Sequence, residues 1–356
     1  MAGKNRHLKL REKPASYGLG INATRSVFPI FDSISPEQNN IQLEIFDDNL
    51  FIYGNSLLAI LLKDRTTGKN IIWATDDYLT LGSIYSKENE IQLDNINSDN
   101  QKFIKPRITK SYEKQNNRTR EKAEVFTPSW VCNLQNNLID EAWFDRKDVF
   151  NKTEGKTWVT NNEKIIFTNE KNKSWQDYVD ARRMEITCGE APYLVSRYDT
   201  VTGESISLNS RIGLLDRKLR VVNENTNNEE EWYQWTQRAF QSTYGFEFQG
   251  DNLLLARENL LLTFIDNIKY KLGREPNLVQ LKRIATIISW NIWQMDGLTF
   301  TIPLSEEIDD DYMQITLDDY LSGDAKKREP NFCKIKDWRS GKIVEYRSLI
   351  EGNRYV

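Results

Sequence analysis

The chain has 356 residues, with 48 Lys and Arg against 52 Asp and Glu, one histidine and a formal net charge of −4. That length supports one large domain or two ordinary ones, and the negative balance argues against a free-standing binder of nucleic acid. The lone His7 and the widely spaced Cys132, Cys188 and Cys333 argue against a Ser-His-Asp hydrolase, a histidine-metal nuclease, a CxxC metal site and a disulfide framework.

No run approaches the roughly 20 apolar residues that span a bilayer, so the expectations are no membrane contact, no metal and a cytoplasmic location. Residues 1–23 lack periodicity and read as a flexible arm. Residues 24–85 hold short β-like runs (IQLEIF, LFIYG, NIIWAT) around the apolar helix NSLLAILLKD, with a turn at Thr67-Gly68-Lys69; this is a small α/β module. Residues 86–122 read as a basic linker. Within it Lys105, Arg107, Lys110, Arg118, Arg120 and Lys122 suit the phosphates of double-stranded DNA, or else a solvated connection.

Further on, Pro128 opens a helical pattern, PSWVCNLQNNLIDEAWF, and residues 151–173 are a polar excursion that accommodates a hairpin. In RMEITCGEAPYLVSRYD, a short strand runs into a break at Cys188-Gly189 and an apolar helical face starts at Tyr193-Leu194-Val195. Helical patterns occupy 206–225 and 229–243, and YGFEF is a strand. A long helix follows, with Asp251 as its N-cap and Gly273 as its stop. A second long helix is expected over NLVQLKRIATIISWNIWQMDGL, with Leu278, Leu281, Ala285, Ile288, Ile292 and Met295 at helical spacing. Residues 301–356 are a polar tail ending in a hairpin around Ser340-Gly341.

Three stretches fall in one order: EVFTPSWVCN, EITCGEAPYL and YGFEFQGDNLLLARENLL. Together they resemble the adenine-specific DNA methyltransferases of bacterial restriction-modification systems, over roughly residues 124–298. The resemblance implies an α/β, Rossmann-like S-adenosylmethionine-dependent methyltransferase fold, whole or incomplete, with residues 123–300 as its cofactor domain. It assigns Phe126, Thr127 and Pro128 to the methionine end of the cofactor, beside a helix N-terminus. Glu185, Cys188 and Gly189 match the Gly-rich turn, although Ile186 stands where the family has Pro and Ala191 where it has a second Gly. Glu247 fills the place of the acid that accepts the ribose hydroxyls, and Asp296 corresponds to the acid beside the adenine, or simply ends a helix.

The resemblance is incomplete in one respect. The family's catalytic motif is a polar residue followed by Pro-Pro and an aromatic ring, and none of the 9 prolines here adjoins another. The catalytic residues are therefore unknown, and the expectation is a chain that binds S-adenosylmethionine but needs a restriction or specificity subunit for methyl transfer. Two other readings stand beside it: a non-catalytic scaffold that binds DNA or cofactor, and a restriction endonuclease subunit using Asp145-Arg146-Lys147 or Asp216-Arg217-Lys218. About 55 residues separate the Gly-rich turn from Glu247, against about 30 in a plain β-α-β step, so an inserted helical pair is expected. Its Arg211, Arg217, Lys218 and Arg220 are candidates for phosphate contacts, or a solvated helix face.

Overall fold

The computed structural model describes residues 54–96, 104–109, 127–168, 173–305 and 330–351. Their centre is a three-stranded parallel sheet of β3 (Arg183–Glu185), β4 (Thr243–Glu247) and β5 (Ile292–Gln294), in the order β3-β4-β5. Arg183 lies opposite Thr243, and Gly245 opposite Ile292. Each crossover between neighbouring strands carries two helices: α4 (Leu214–Asn225) and α5 (Glu229–Gln241) between β3 and β4, then α6 (Gly250–Leu272) and α7 (Leu278–Asn291) between β4 and β5. The expected inserted pair is thus α4 and α5, the first beginning at Leu214 and not near 206.

Ahead of the sheet lie α1 (Asn55–Leu62), α2 (Ser129–Phe144), the hairpin β1 (Asn151–Glu154) and β2 (Thr157–Thr160), and α3 (Trp175–Asp180). Gly155 turns that hairpin at φ 61°, a backbone region open to glycine without strain. After the sheet, the expected C-terminal hairpin is present as β6 (Lys334–Lys336) and β7 (Ile343–Glu345). The described residues are therefore mixed α/β, and among them no helix is long and apolar enough to cross a membrane.

All described residues fall in one compact unit. Leu57 and Leu61 of α1, Trp73, Leu219 of α4, Trp232 of α5, Phe264 of α6 and Ile288 of α7 share a single core, so the boundary expected near residue 85 divides no core. Alternation along the strands sends Phe246 and Trp293 to the other side of the sheet, where they meet Met295, Cys333, Ile335 and Tyr346. The segment around Trp73 is stitched to the sheet by polar groups. Gln294 accepts from Ile72 N at 2.9 Å and donates to Ile72 O at 2.8 Å, standing in for a further strand pairing. Gly250 N donates to Trp73 O at 3.1 Å. A Cβ at Gly250 would lie 2.1 Å from Ile72 O, which explains why this approach requires glycine.

Three expectations are corrected. The helix begun at Leu278 stops at Asn291, and Ile292–Gln294 is the third strand. Asn291 Nδ2 donates to the carbonyls of Phe240, Gln241 and Thr243, which pins the chain there, and the Ile-Trp pair that follows suits a pleated, buried surface. The N-cap of α6 is Gln249; Asp251 sits one position inside the helix, where its charge favours the N-terminal dipole and its carboxylate accepts from Tyr78 Oη at 3.0 Å. No helix starts at Tyr193. The N–H groups of Tyr193 and Leu194 go to the Glu185 carboxylate and that of Ser196 to Asp216, so side chains take the donors that a helix would use.

Candidate functional site

β3 and β4 end beside each other, and their carboxyl ends carry the two acids singled out in the sequence. Glu185 is the last residue of β3, and its carboxylate accepts Tyr193 N at 3.3 Å and Leu194 N at 3.2 Å. Glu247 is the last residue of β4. It accepts Gly189 N at 2.8 Å on one oxygen and Gln249 N at 3.1 Å on the other. Gly189 lies at φ 53°, and Cys188 N reaches across to Phe246 O at 2.8 Å, so the turn after β3 is bound to the end of β4. Gly189, in the turn after β3, and Glu247, at the end of the adjacent parallel strand, are thus brought together.

Over these strand ends lies a cavity of about 1000 Å³, lined by Glu185, Cys188, Gly189 and Glu247 from the sheet, and by Thr127, Asn136 and Ile139 from α2 and its approach. Thr75 and Lys87 border it from the N-terminal segment, and Gln249 and Asn252 from the start of α6. Its size is at the upper end of the roughly 300–1,000 Å³ of small-molecule sites. Both acids are buried, at 8% and 6% exposure. Burial pushes the Glu185 carboxyl well above the usual carboxylate range, against the pull of the Tyr193 and Leu194 N–H groups, and the neighbouring Glu247 adds to the rise. Burial likewise raises Glu247, opposed by the Gln249 and Gly189 N–H groups and reinforced by Asp251. Burial and the two glutamates push the Cys188 thiol far up, so it is no ready thiolate.

The other singled-out residues are placed as follows. Thr127 lines the cavity, and Pro128 is the N-cap of α2. The first helical N–H of α2, at Ser129, donates to Asp199 Oδ2 at 2.7 Å, so that donor is already engaged by the protein. Burial works against the Asp199 charge, yet the N–H groups of Ser129, Thr202 and Val201 hold its carboxyl below the usual range. Asp296 follows β5 in a turn, where its Oδ1 accepts Leu298 N at 2.8 Å; it does not line the cavity and ends no helix. Lys105 is exposed, and Arg107 begins a short 3-10 turn. Phe126, Lys110, Arg118, Arg120 and Lys122 lie outside the described residues.

The basic residues of the inserted pair are engaged inside the fold. Arg217 is 1% exposed and binds Asp140, Asn133 and Asn137; Lys218, equally buried, donates to Ala181 O, Ser242 O and Ser242 Oγ. Arg211 pairs with Asp266 and Arg220 with Glu224. The phosphate contacts offered for these four are corrected accordingly: Arg217, Lys218 and Arg220 of α4, and Arg211 ahead of it, bind partners within the fold. The triplet Asp216-Arg217-Lys218 lies on this helix, and among the described residues no three His, Cys, Asp or Glu side chains gather to hold a metal.

The cavity also contains residues that sequence reasoning passed over. Gln249 and Asn252 follow Glu247 closely, and their signal was a polar pair between a strand and an apolar helix. Asn136 is fully buried at a helix position that faces the interior; a polar side chain there was the available sign. Comparisons of the chain with protein-family models, curated proteins and solved structures found no match.

Proposed function

We propose that the chain binds S-adenosylmethionine in this cavity and is an adenine-specific DNA methyltransferase-like subunit of a restriction-modification or phage-defence system. One observation carries the reading: Gly189 N–H donates to Glu247 across the carboxyl ends of adjacent parallel strands, beneath a cavity large enough for a nucleoside. Open α/β sheets bind nucleoside ligands at that edge. The charge of the lining discriminates among nucleosides. Among the described residues the lining carries two buried acids and Lys87, an arrangement that favours a ligand carrying positive charge.

The residues fit such a ligand in this way. Glu247 accepts Gly189 N–H on one oxygen and Gln249 N–H on the other, and a carboxylate has about four lone-pair sites, so it can take a hydroxyl donor without losing its hold on Gly189 and Gln249. Gly189 exposes backbone without a side chain at the closest approach. Thr127 stands at the α2 end of the cavity; in the helix turn that follows, the Ser129 N–H is committed to Asp199 and the Val131 N–H to Pro128 O. S-adenosylmethionine supplies an electrophilic methyl group when bound.

Holding a target adenine is a separate task, and no Pro-Pro-aromatic segment exists in the chain to do it. The reading therefore assigns cofactor binding to this polypeptide and methyl transfer to its assembly with another. Equilibrium dialysis with labelled S-adenosylmethionine, beside a tritiated-methyl assay on mixed-sequence DNA, tests both halves. Binding is expected for the isolated chain and methyl incorporation only with its co-purifying polypeptides. Absence of binding defeats the proposal, and strong incorporation by the chain alone defeats its second half. A non-catalytic scaffold is the second reading, favoured by the same missing motif; it holds if no assembly incorporates methyl.

A further inference from the structure

Asn133, Asn136, Asn137 and Asp140 recur at the three- and four-residue spacing that sets side chains on one face of α2. That face is largely buried, and most of its polar groups are matched within the fold. Asn133 exchanges amide hydrogen bonds with Asn151, and the Asp140 carboxylate accepts from Tyr178 Oη and Arg217. Asn136 differs. Its Nδ2 donates to Tyr193 O at 3.0 Å and to Ile212 O at 2.9 Å, but no donor among the described residues reaches its Oδ1. Turning the amide over would set the oxygen against two carbonyls, so those two bonds fix which atom is left over. A buried acceptor left without a donor is rare and costs stability, and Asn136 is 0% exposed. It is also one of the residues that line the cavity over the strand ends.

The position of Asn136 says which kind of donor suits it. Tyr193 is shared: its carbonyl accepts from Asn136 while its N–H donates to Glu185 at 3.3 Å. Asn136 therefore adjoins the Glu185 end of the cavity, whereas Glu247 is tied to Gly189 and Gln249. An acceptor oxygen near a buried carboxylate favours a cationic donor over a neutral hydroxyl. S-adenosylmethionine has two cationic centres, and only its ammonium group carries N–H donors; the sulfonium has none.

We infer that Asn136 Oδ1 accepts a hydrogen bond from the ammonium group of the ligand's amino-acid end, with Glu185 supplying the counter-charge. Asn136 is then a specificity residue, which makes the cavity prefer a nucleoside bearing an amino acid to a plain one. This inference rests on the reading of the cavity as an S-adenosylmethionine site.

Three ligands test it by isothermal titration of the full chain: S-adenosylmethionine, its analogue with hydrogen in place of the α-amino group, and 5′-methylthioadenosine, which lacks the amino-acid end. The parent is expected to bind S-adenosylmethionine about tenfold or more tightly than the desamino analogue. In Asn136→Ala that preference should shrink by about fivefold or more, a ratio in which any general loosening of the variant cancels. Retained 5′-methylthioadenosine binding verifies that the cavity of the variant still forms. NMR of the unaltered chain gives a measurement that needs no variant: the Asn136 side-chain amide signals should shift with S-adenosylmethionine and stay in place with the desamino analogue. A parent without the preference, a preference untouched in a folded Asn136→Ala, or amide signals that respond alike to both ligands, as they would if a water served Oδ1, each overturns the inference and leaves the cavity's proposed ligand standing. Failure of all three ligands to bind the parent defeats that ligand assignment and this inference with it.

Discussion

Two clusters of buried charge in this protein look alike by exposure and differ in chemistry. Arg217 lies between α4 and α2 with Asp140 at 2.5 Å, Asn133 at 2.9 Å and Asn137 at 2.7 Å, and its guanidinium sits over the Phe150 ring. Opposite charges meet there away from the cavity. Glu185 and Glu247 bring like charges together, are held by backbone N–H groups, and face a cavity. Burial alone therefore does not mark a site. A buried charge with its counter-charge is a structural fixture, whereas two buried acids fronting open volume form a place that a cationic ligand would stabilise.

Breaking the first cluster should produce the largest effect. Arg217→Met leaves Asp140 buried without its cation and is expected to destabilise the fold by about 3–5 kcal/mol, read as a lower urea midpoint with an unchanged slope. Adding Asp140→Leu should recover much of that loss, since the uncompensated charge goes with it. If Arg217→Met costs nothing, the two clusters are not distinguished by charge pairing.

The second cluster should respond in the opposite sense. The folded-state pKa of Glu185 is raised by burial, so between the ordinary carboxyl range and its raised value the folded chain keeps a proton that the unfolded chain has released. Stability then falls as pH rises through that window. Glu185→Gln, which cannot ionise and keeps an acceptor for one of the two N–H groups, should flatten this fall. A parent whose stability climbs across the same window would contradict the direction assigned to Glu185.

The smallest effect expected is at Thr187, an exposed β-branched residue at φ 46° on the cavity wall. Its left-handed backbone is strained by roughly 1–2 kcal/mol, partly offset by the entropy that glycine would add to the unfolded chain, so Thr187→Gly should stabilise by about 0.5–1 kcal/mol in chemical unfolding. Strain of this kind gathers at ligand clamps, and loss of ligand affinity in the same variant would tie it to the site.

Much of the sheet was legible in the sequence for a local reason. Gly189 and Glu247 each end a short β-like run, and such punctuation marks strand ends without tertiary knowledge. The stop of α6 at Gly273, φ 65°, was readable in the same way. What could not be read depended on distant partners. The polar inner face of α2 makes sense only with Arg217, which lies 77 residues from Asp140 and 84 from Asn133. The third strand was hidden because Ile292 and Met295 continue the spacing of α7, and only the hold of Asn291 on the carbonyls around residues 240–243 tells the chain to change conformation. Turns that use Glu185 and Asp216 as acceptors replaced the helix expected at Tyr193. Side-chain acceptors within reach can override helical periodicity, and single-chain patterning does not reveal where they are.

Isothermal titration of the chain with S-adenosylmethionine, repeated in buffers of different ionisation enthalpy, tests the central claim most directly. Burial raises the pKa of both cavity acids, and a cationic ligand favours their charged forms, so binding should release protons and tighten as pH rises until both are ionised. Glu247→Ala should abolish the binding heat. Binding that is absent, or that takes up protons and weakens as pH rises, would contradict the account.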